Sequence, residues 1–569
     1  MSIPRRAVAV LVALTVVTAA CGGDTDATPA PSEGPSPTPP RTPAPTEIAF
    51  APASLPATGS ACDTEGYAGR LGRIEALDAR TVRFTLCRPD AAFPARLGHP
   101  ALGVLDATSI ARLGEDRAAS TALAGTGPYR IERWVDDDNV QLARVGEATD
   151  TATAETVIIR WNEDAAARAS QLQEAAVDGI DTPGPAQLQE IATLPELVVT
   201  PRDGLATAFL AFGSGPAFAG TRVRRAIAGS LDRETLTATA LPEGSRLATH
   251  VTPCIVANGC KGRPWYGFNA PAAVAALDAA SFDRSRTYPL HVPDAPVPGL
   301  PDPAGLAEAI RAQLAGNIGL EVEIDVMPLE AFREAADAGR LDGLYLDGVA
   351  TSLADPSGFL EPLFGAGVRT TPARRASDVR PALAEASATT DPEGRAAAIE
   401  EANAEIRSAA VIVPIGHPGS VVAYRNDVEG VATSPLGRDP IGAATPGDRP
   451  QLVFMQETPP AGAWCGDQTS FDAYRLCGLL GEGLYGFGTG ELSPEPRLAD
   501  CEPDRTARTW TCALRGEPTF TDGMRVDAGD VLATYGALWD GDGAMRRGSP
   551  DGAFAAWDEL FGAPLDADG

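Results

Sequence analysis

Apolar and β-branched residues alternate with polar ones over short runs at 81–86, 140–143, 155–161, 198–201, 208–212, 288–292, 320–327, 343–346 and 411–414. That period belongs to strands with one buried face. Between these runs, 164–176, 222–230, 303–316, 329–338 and 391–408 repeat apolar residues every three or four positions and are rich in Ala and Arg, which predicts helices. Strand and helix in alternation over this length predict α/β lobes.

The first fifty residues follow another pattern. Arg5 and Arg6 precede an apolar run over 7–17, and the small residues Thr18, Ala19 and Ala20 lead to Cys21, so 1–20 read as a secretory signal peptide. A cysteine directly after small residues and before Gly22 and Gly23 resembles the bacterial lipobox, although Thr18 stands where Leu is usual. The resemblance implies that the Cys21 thiol takes a diacylglyceryl group and becomes the mature N-terminus. Residues 21–48, with PSPTPP and RTPAPT at their centre, are a tether that cannot bury a core and extends by about 3 Å per residue.

Composition narrows the function classes. The chain has 569 residues, 44% apolar and 21% charged, with 59 Gly and 50 Pro, which suits several compact units joined by many turns. A net charge of −30 repels phosphate backbones and anionic lipid, so nucleic acid is not an expected partner. Of nine cysteines, eight remain beside Cys21, an even number that fits an oxidising compartment. Spacing pairs Cys254 with Cys260, Cys465 with Cys477 and Cys501 with Cys512, and leaves Cys62 with Cys87. No CxxC occurs, and His99, His250, His291 and His417 lie far apart in sequence, so no metal site is expected.

An ordered set of motifs carries a family resemblance. GTGPYRIERWVDDDNVQLARV at 125–145, ETVIIRWNEDAAARASQLQEAAVDGIDTP at 155–183 and ATAFLAFGSGPAFAGTRVRRAIAGSLDRETL at 206–236 follow one another, then 320–348, DPSGFLEPLF at 355–364 and VIVPIGHPG at 411–419. Together they resemble the extracellular solute-binding proteins that serve oligopeptide, dipeptide and nickel importers. The beginning of that family's pattern finds its likeness at the end of this chain: 449–464 resembles its first strand and loop, 479–499 its next segment, and 508–535 its "TFhLR…DG…DV" signature. Two arrangements fit, a circular permutation or a truncated tandem of two binding proteins. Permutation predicts that 508–514 shares a sheet with 81–86; a tandem predicts that they do not touch.

The resemblance implies a type II periplasmic-binding-protein fold with two lobes, an extra subdomain on the large lobe, and permuted order. The large lobe is then 49–212, the small lobe 213–412, the return to the large lobe 413–447, and the displaced beginning of the large lobe 448–569, with hinge strands near 209–214 and 413–417. It implies a non-enzymatic protein without cofactor, a monomer on the outer face of the cell membrane. Its partners would be a small-molecule or peptide ligand, a membrane permease with its ATPase, and the membrane through the lipid anchor alone. An interaction or sensory lipoprotein on the same fold is the alternative.

No G-x-S-x-G elbow, HExxH or phosphate loop occurs, and GEGLYG at 481–486 follows a helical run instead of a strand, so it reads as a helix-ending turn. Ligand-binding candidates by resemblance are Glu457, Thr458, Trp464 and Tyr485 on the large lobe, Phe212 and Gly213 at the crossing, Val349 and Ser352 on the small lobe, and His417. Peptide-binding members of the family pair a ligand ammonium with an aspartate where this chain has Ser352; the change removes the reason to prefer a cationic amine unless Asp347 or Glu457 replaces that acid, and leaves a sugar, a modified peptide or a neutral metabolite equally open.

Overall fold

The computed structural model describes residues 50–115, 123–149, 151–488, 490, 492–548 and 554–565. The expected signal peptide, Cys21 and the tether lie outside them. Three large sheets organise the described chain. The first has seven strands in the order Tyr129–Val135, Asn139–Arg144, Thr156–Trp161, Gln451–Gln456, Gly179–Asp181, Ser420–Arg425, Leu197–Arg202. Its central strand comes from the chain's tail. Gln451–Gln456 runs parallel to Thr156–Trp161 on one side, with Phe454 beside Ile159, and parallel to Gly179–Asp181 on the other. Parallel central strands are covered on both faces, and Leu452, Phe454 and Met455 are accordingly all buried.

A second sheet of five strands forms a subdomain in the order Ala53–Leu55, Leu71–Asp78, Thr81–Leu86, Thr509–Leu514, Ala499–Pro503. Thr509–Leu514 pairs antiparallel with Thr81–Leu86 and sets Trp510 opposite Phe84. Phe84, Phe93, Trp510, Tyr535 and Trp557 fill one core beneath it. Front and tail therefore supply that core jointly.

The third sheet, of six strands, is the small lobe: Arg246–Leu247, Ile412–His417, Ala206–Phe212, Leu344–Ala350, Tyr288–Pro293, Val322–Met327. Helix Pro303–Ile318 covers it with Leu306, Ile310 and Leu314, capped by the Asp302 carboxylate at Gly305 N–H and ended by Gly319 at φ +65.

The boundaries expected at 212 and 412 move. Ala206–Phe212 and Ile412–His417 lie side by side inside the small-lobe sheet, Val413 opposite Leu210, whereas Leu197–Arg202 and Ser420–Arg425 pair in the large lobe. The chain thus crosses at 203–205 and 418–419, not near 209–214 and 413–417. Glycine is required at both crossings. A Cβ on Gly204 would stand 1.8 Å from the Pro418 carbonyl oxygen, and one on Gly419 would stand 2.4 Å from that of Gly244.

The three cysteine pairs read from spacing and the one left by elimination all form disulfides, with Cα separations of 5.2 Å for Cys62–Cys87, 5.0 Å for Cys254–Cys260, 5.8 Å for Cys465–Cys477 and 3.9 Å for Cys501–Cys512. Gly481 ends the helix Phe471–Leu480, its N–H donating to Cys477 O, as the turn reading of GEGLYG expects. Beyond this turn the tail reaches the small lobe, where Leu492 N–H donates to Ile255 O at 2.6 Å and the Leu492 side chain enters the small-lobe core.

Because Phe454 is fully buried at the centre of the seven-stranded sheet, Phe454→Ala is expected to cost about 3–5 kcal/mol in urea unfolding. A loss below about 1 kcal/mol would contradict a central role for the tail strand.

Candidate functional site

Both crossings form the floor of a cleft of about 550 Å³ whose walls come from both lobes. Arg202, Gly204, Pro418 and Ser420 lie along the floor, Glu457, Phe471, Asp472 and Tyr474 on the large-lobe wall, and Thr351 and Ser352 on the small-lobe wall. Cavities of this size between domains suit small ligands.

The floor rests on a buried ion cluster. Arg475 is fully buried on the helix Phe471–Leu480, and its NH2 pairs with Asp181 and, at 3.2 Å, with Asp439. Its NH1 reaches Asp472 at 3.0 Å and Gln456 Oε1 at 2.8 Å, while Phe454 lies 4.6 Å beneath the guanidinium. Arg202 joins Asp181 at 3.0 Å and pairs with Asp439, and its NH1 also donates to Ser420 Oγ at 3.2 Å. Burial alone would raise the Asp181 carboxyl, but Arg475 and Arg202 overcome it and hold the group below the usual carboxylate range. The same carboxylates, working against burial, raise Arg475. Both guanidiniums stay charged.

Two buried histidines, one on the cleft wall and one beside it, stay neutral. His99 is buried on the large-lobe wall, where its Nδ1 accepts the Ala101 N–H at 3.1 Å and its ring meets Tyr474 edge-on at 5.0 Å. Burial, helped by the Arg438 charge, lowers it to about 3. His417 is also buried, with Nδ1 donating to Ala206 O at 3.1 Å. Burial lowers it to about 4 against the pull of that hydrogen bond.

Of the residues proposed from sequence, Glu457 and Ser352 line the cleft. The rest take other places. Thr458 holds Asp472 through its N–H at 2.8 Å and its hydroxyl at 2.7 Å, one step behind the wall. Trp464 and Tyr485 are buried in the subdomain core, and Phe212 and Val349 in the small-lobe core. Gly213 N–H is used by Gly343 O, and His417 borders a separate groove with Asp203 and Arg246.

The acid facing Ser352 is neither Asp347 nor Glu457. It is Glu559, on the short tail helix Ala555–Phe561, whose carboxylate accepts from Ser352 N–H and Oγ at 2.6 Å each and from Thr351 Oγ1 at 2.7 Å. Sequence reasoning also missed His99, Asp181, Arg202, Phe471, Asp472 and Tyr474. One signal was available: Asp472 and Arg475 interrupt an otherwise apolar helical run, and charges there need partners.

Two outcomes follow. Arg475→Met leaves Asp181, Asp439 and Asp472 facing one another with Arg202 alone, and is expected to cost about 3–5 kcal/mol by urea unfolding, while a neutral result would contradict a paired cluster. In NMR titrations, the His99 and His417 imidazole signals should hold their neutral-form positions from pH 8 down to 5.5. A midpoint near 6.5 for either would contradict their burial.

Comparison with known proteins adds the family. The model described as Bacterial extracellular solute-binding proteins, family 5 Middle matches residues 49–370. Heme-binding protein A of Haemophilus influenzae is 25% identical over 378 residues, covering 65% of this chain and 69% of that protein. Peptide transport periplasmic protein SapA of Salmonella typhimurium is 27% identical over 385 residues, covering 66% of this chain and 69% of that protein. The solved structure of HbpA2 from Haemophilus parasuis superposes with a TM-score of 0.56 at 22% identity, over 66% of this chain and 75% of that one, a likeness in the type II binding-protein fold.

Proposed function

The chain belongs to the bacterial extracellular solute-binding proteins, family 5, and from that premise we propose that it captures a small solute between its lobes and delivers it to a membrane permease driven by an ATPase. The observation that carries this reading is the cleft itself, floored by two short glycine-containing crossings and walled by both lobes. Two crossings of that kind act as a hinge, and a solute touching both walls shifts the population toward the closed arrangement.

The relatives' names, heme-binding and peptide transport, support two ligand classes for test. Export, lipid attachment through Cys21 and a tether at 21–48 complete the proposal, placing the binding body outside the membrane. We also read the chain order as permuted; the pairing of Thr509–Leu514 with Thr81–Leu86 supports that reading.

Unfolding of the purified protein in the presence of di- and tripeptide pools and of haem tests the function. A ligand at 100 times its dissociation constant should add roughly 2.7 kcal/mol of stability. No gain with any pool would overturn solute capture.

A further inference from the structure

The cleft does not end at its small-lobe wall. Beside it lies a second chamber of about 330 Å³, and the two spaces share Ala350, Thr351 and Glu559 in their linings. Where they meet, a bridge runs from one lobe to the other. The Glu559 carboxylate accepts from Thr351 Oγ1 at 2.7 Å and from Ser352 N–H and Oγ at 2.6 Å each. Hydrogen bonds to an ionised acceptor are short and strong, and several converging on one carboxylate fix its direction as well as its place.

Packing on each side sets the two ends of this bridge. Glu559 sits on the tail helix Ala555–Phe561, which buries Trp557, Leu560 and Phe561 in the subdomain core. Buried Arg96 pairs with Asp90 at 2.7 Å and donates to Leu560 O at 2.6 Å, and Arg70 N–H donates to Phe561 O at 2.7 Å, so the end of that helix is bolted down. On the small lobe, Thr351 Oγ1 accepts from Leu353 N–H at 2.9 Å. Gly358 lies so close beneath it that a Cβ there would stand 2.8 Å from Thr351 Oγ1.

A second span borders the same chamber. Arg70 meets Glu361 at 2.7 Å, Ser387 Oγ donates to Glu361 at 3.3 Å, and Ala91 N–H donates to Ser387 O at 2.8 Å. These contacts join the two lobes without Glu559. Taking the Glu559 bridge away therefore merges cleft and chamber into one longer space and leaves the lobes held together. Length is what such a bridge controls. An extended chain advances by about 3.3–3.6 Å per residue, so a ligand that outgrows the cleft in this direction must displace Glu559 from its donors, whereas a shorter one leaves them in place. Discrimination then comes from what the site refuses.

We infer that the bridge from Glu559 to Thr351 and Ser352 is a gate that sets the longest ligand the closed cleft takes, and that the side chamber is the space a longer ligand enters once the gate is gone. Glu559 acts here through its acceptor geometry toward the opposite lobe, not through its charge toward a ligand. This inference rests on the solute-binding reading above and deepens it to a size class, solutes short enough to be enclosed in about 550 Å³.

The test titrates three probes into the full mature protein: a tripeptide pool, a hexapeptide pool of matched composition, and haem. Wild type should bind the tripeptides about tenfold more tightly than the hexapeptides. Glu559→Ala should bring the two pools within about threefold of each other by strengthening the longer one. Glu559→Gln, whose amide oxygen still accepts from Thr351 Oγ1 and Ser352 N–H, should keep the wild-type preference. Equal affinities or a preference for hexapeptides in wild type, an unchanged preference in Glu559→Ala, loss of the preference in Glu559→Gln, or binding of haem alone would each overturn the inference and leave solute capture standing. No binding of any probe overturns solute capture, and the inference with it.

Discussion

A guanidinium with no exposed surface is tolerable only where carboxylates surround it, and Arg475 is such a group. Its partners come from stretches far apart in sequence: Asp181 at the end of a central strand, Asp439 in the loop after the returning strand, and Asp472 one turn away on its own helix. Arg202 closes the set from the last residue before the lobe crossing. Breaking any one link strands a charge in the interior. The cluster therefore obliges the segment after 448 to sit against the segment before 202, and in doing so it fixes the floor of the cleft.

From that floor the rest follows geometrically. Arg202 and Ser420 are paired neighbours at the lobe edge, so the two crossings leave the large lobe together and run past each other closely enough to need Gly204 and Gly419. Such short crossings, each with one glycine, bend more easily than the sheets they join. What resists or rewards bending is then the set of contacts across the cleft. Arg70 meets Glu361 at 2.7 Å, Ala91 N–H meets Ser387 O at 2.8 Å, and Leu492 is anchored in the small-lobe core. Leu353 of the small lobe is buried against the subdomain core.

Much of the fold was legible because periodic burial writes itself into sequence. The alternation at 156–161 and the helical repeat after Asp302 appear in the structure as strand Thr156–Trp161 and helix Pro303–Ile318. The order of the tail motifs also pointed to Thr509–Leu514 beside Thr81–Leu86, and local cysteine spacing matched three disulfides and left the fourth by elimination. The site was harder to read. Trp464, Tyr485, Phe212 and Val349 look like ligand contacts in a linear motif, yet their apolar surface is worth more inside a core. The crossing was misplaced because a strand such as Ala206–Phe212, apolar throughout, belongs equally well to either lobe until its neighbours are known. Glu559 carried no local signal at all; its meaning comes from Thr351 and Ser352, 208 and 207 positions earlier.

The central claim is that the tail completes the large lobe and its half of the cleft. The most direct measurement expresses residues 50–448 and 449–569 as two separate chains, alone and together, and follows amide hydrogen exchange in Thr156–Trp161 and Gly179–Asp181, the strands that flank Gln451–Gln456. The account predicts that the two chains purify as a one-to-one complex with slow exchange in both strands, and that 50–448 alone exchanges there without protection. Equal protection in 50–448 alone, with no association between the chains, would contradict it.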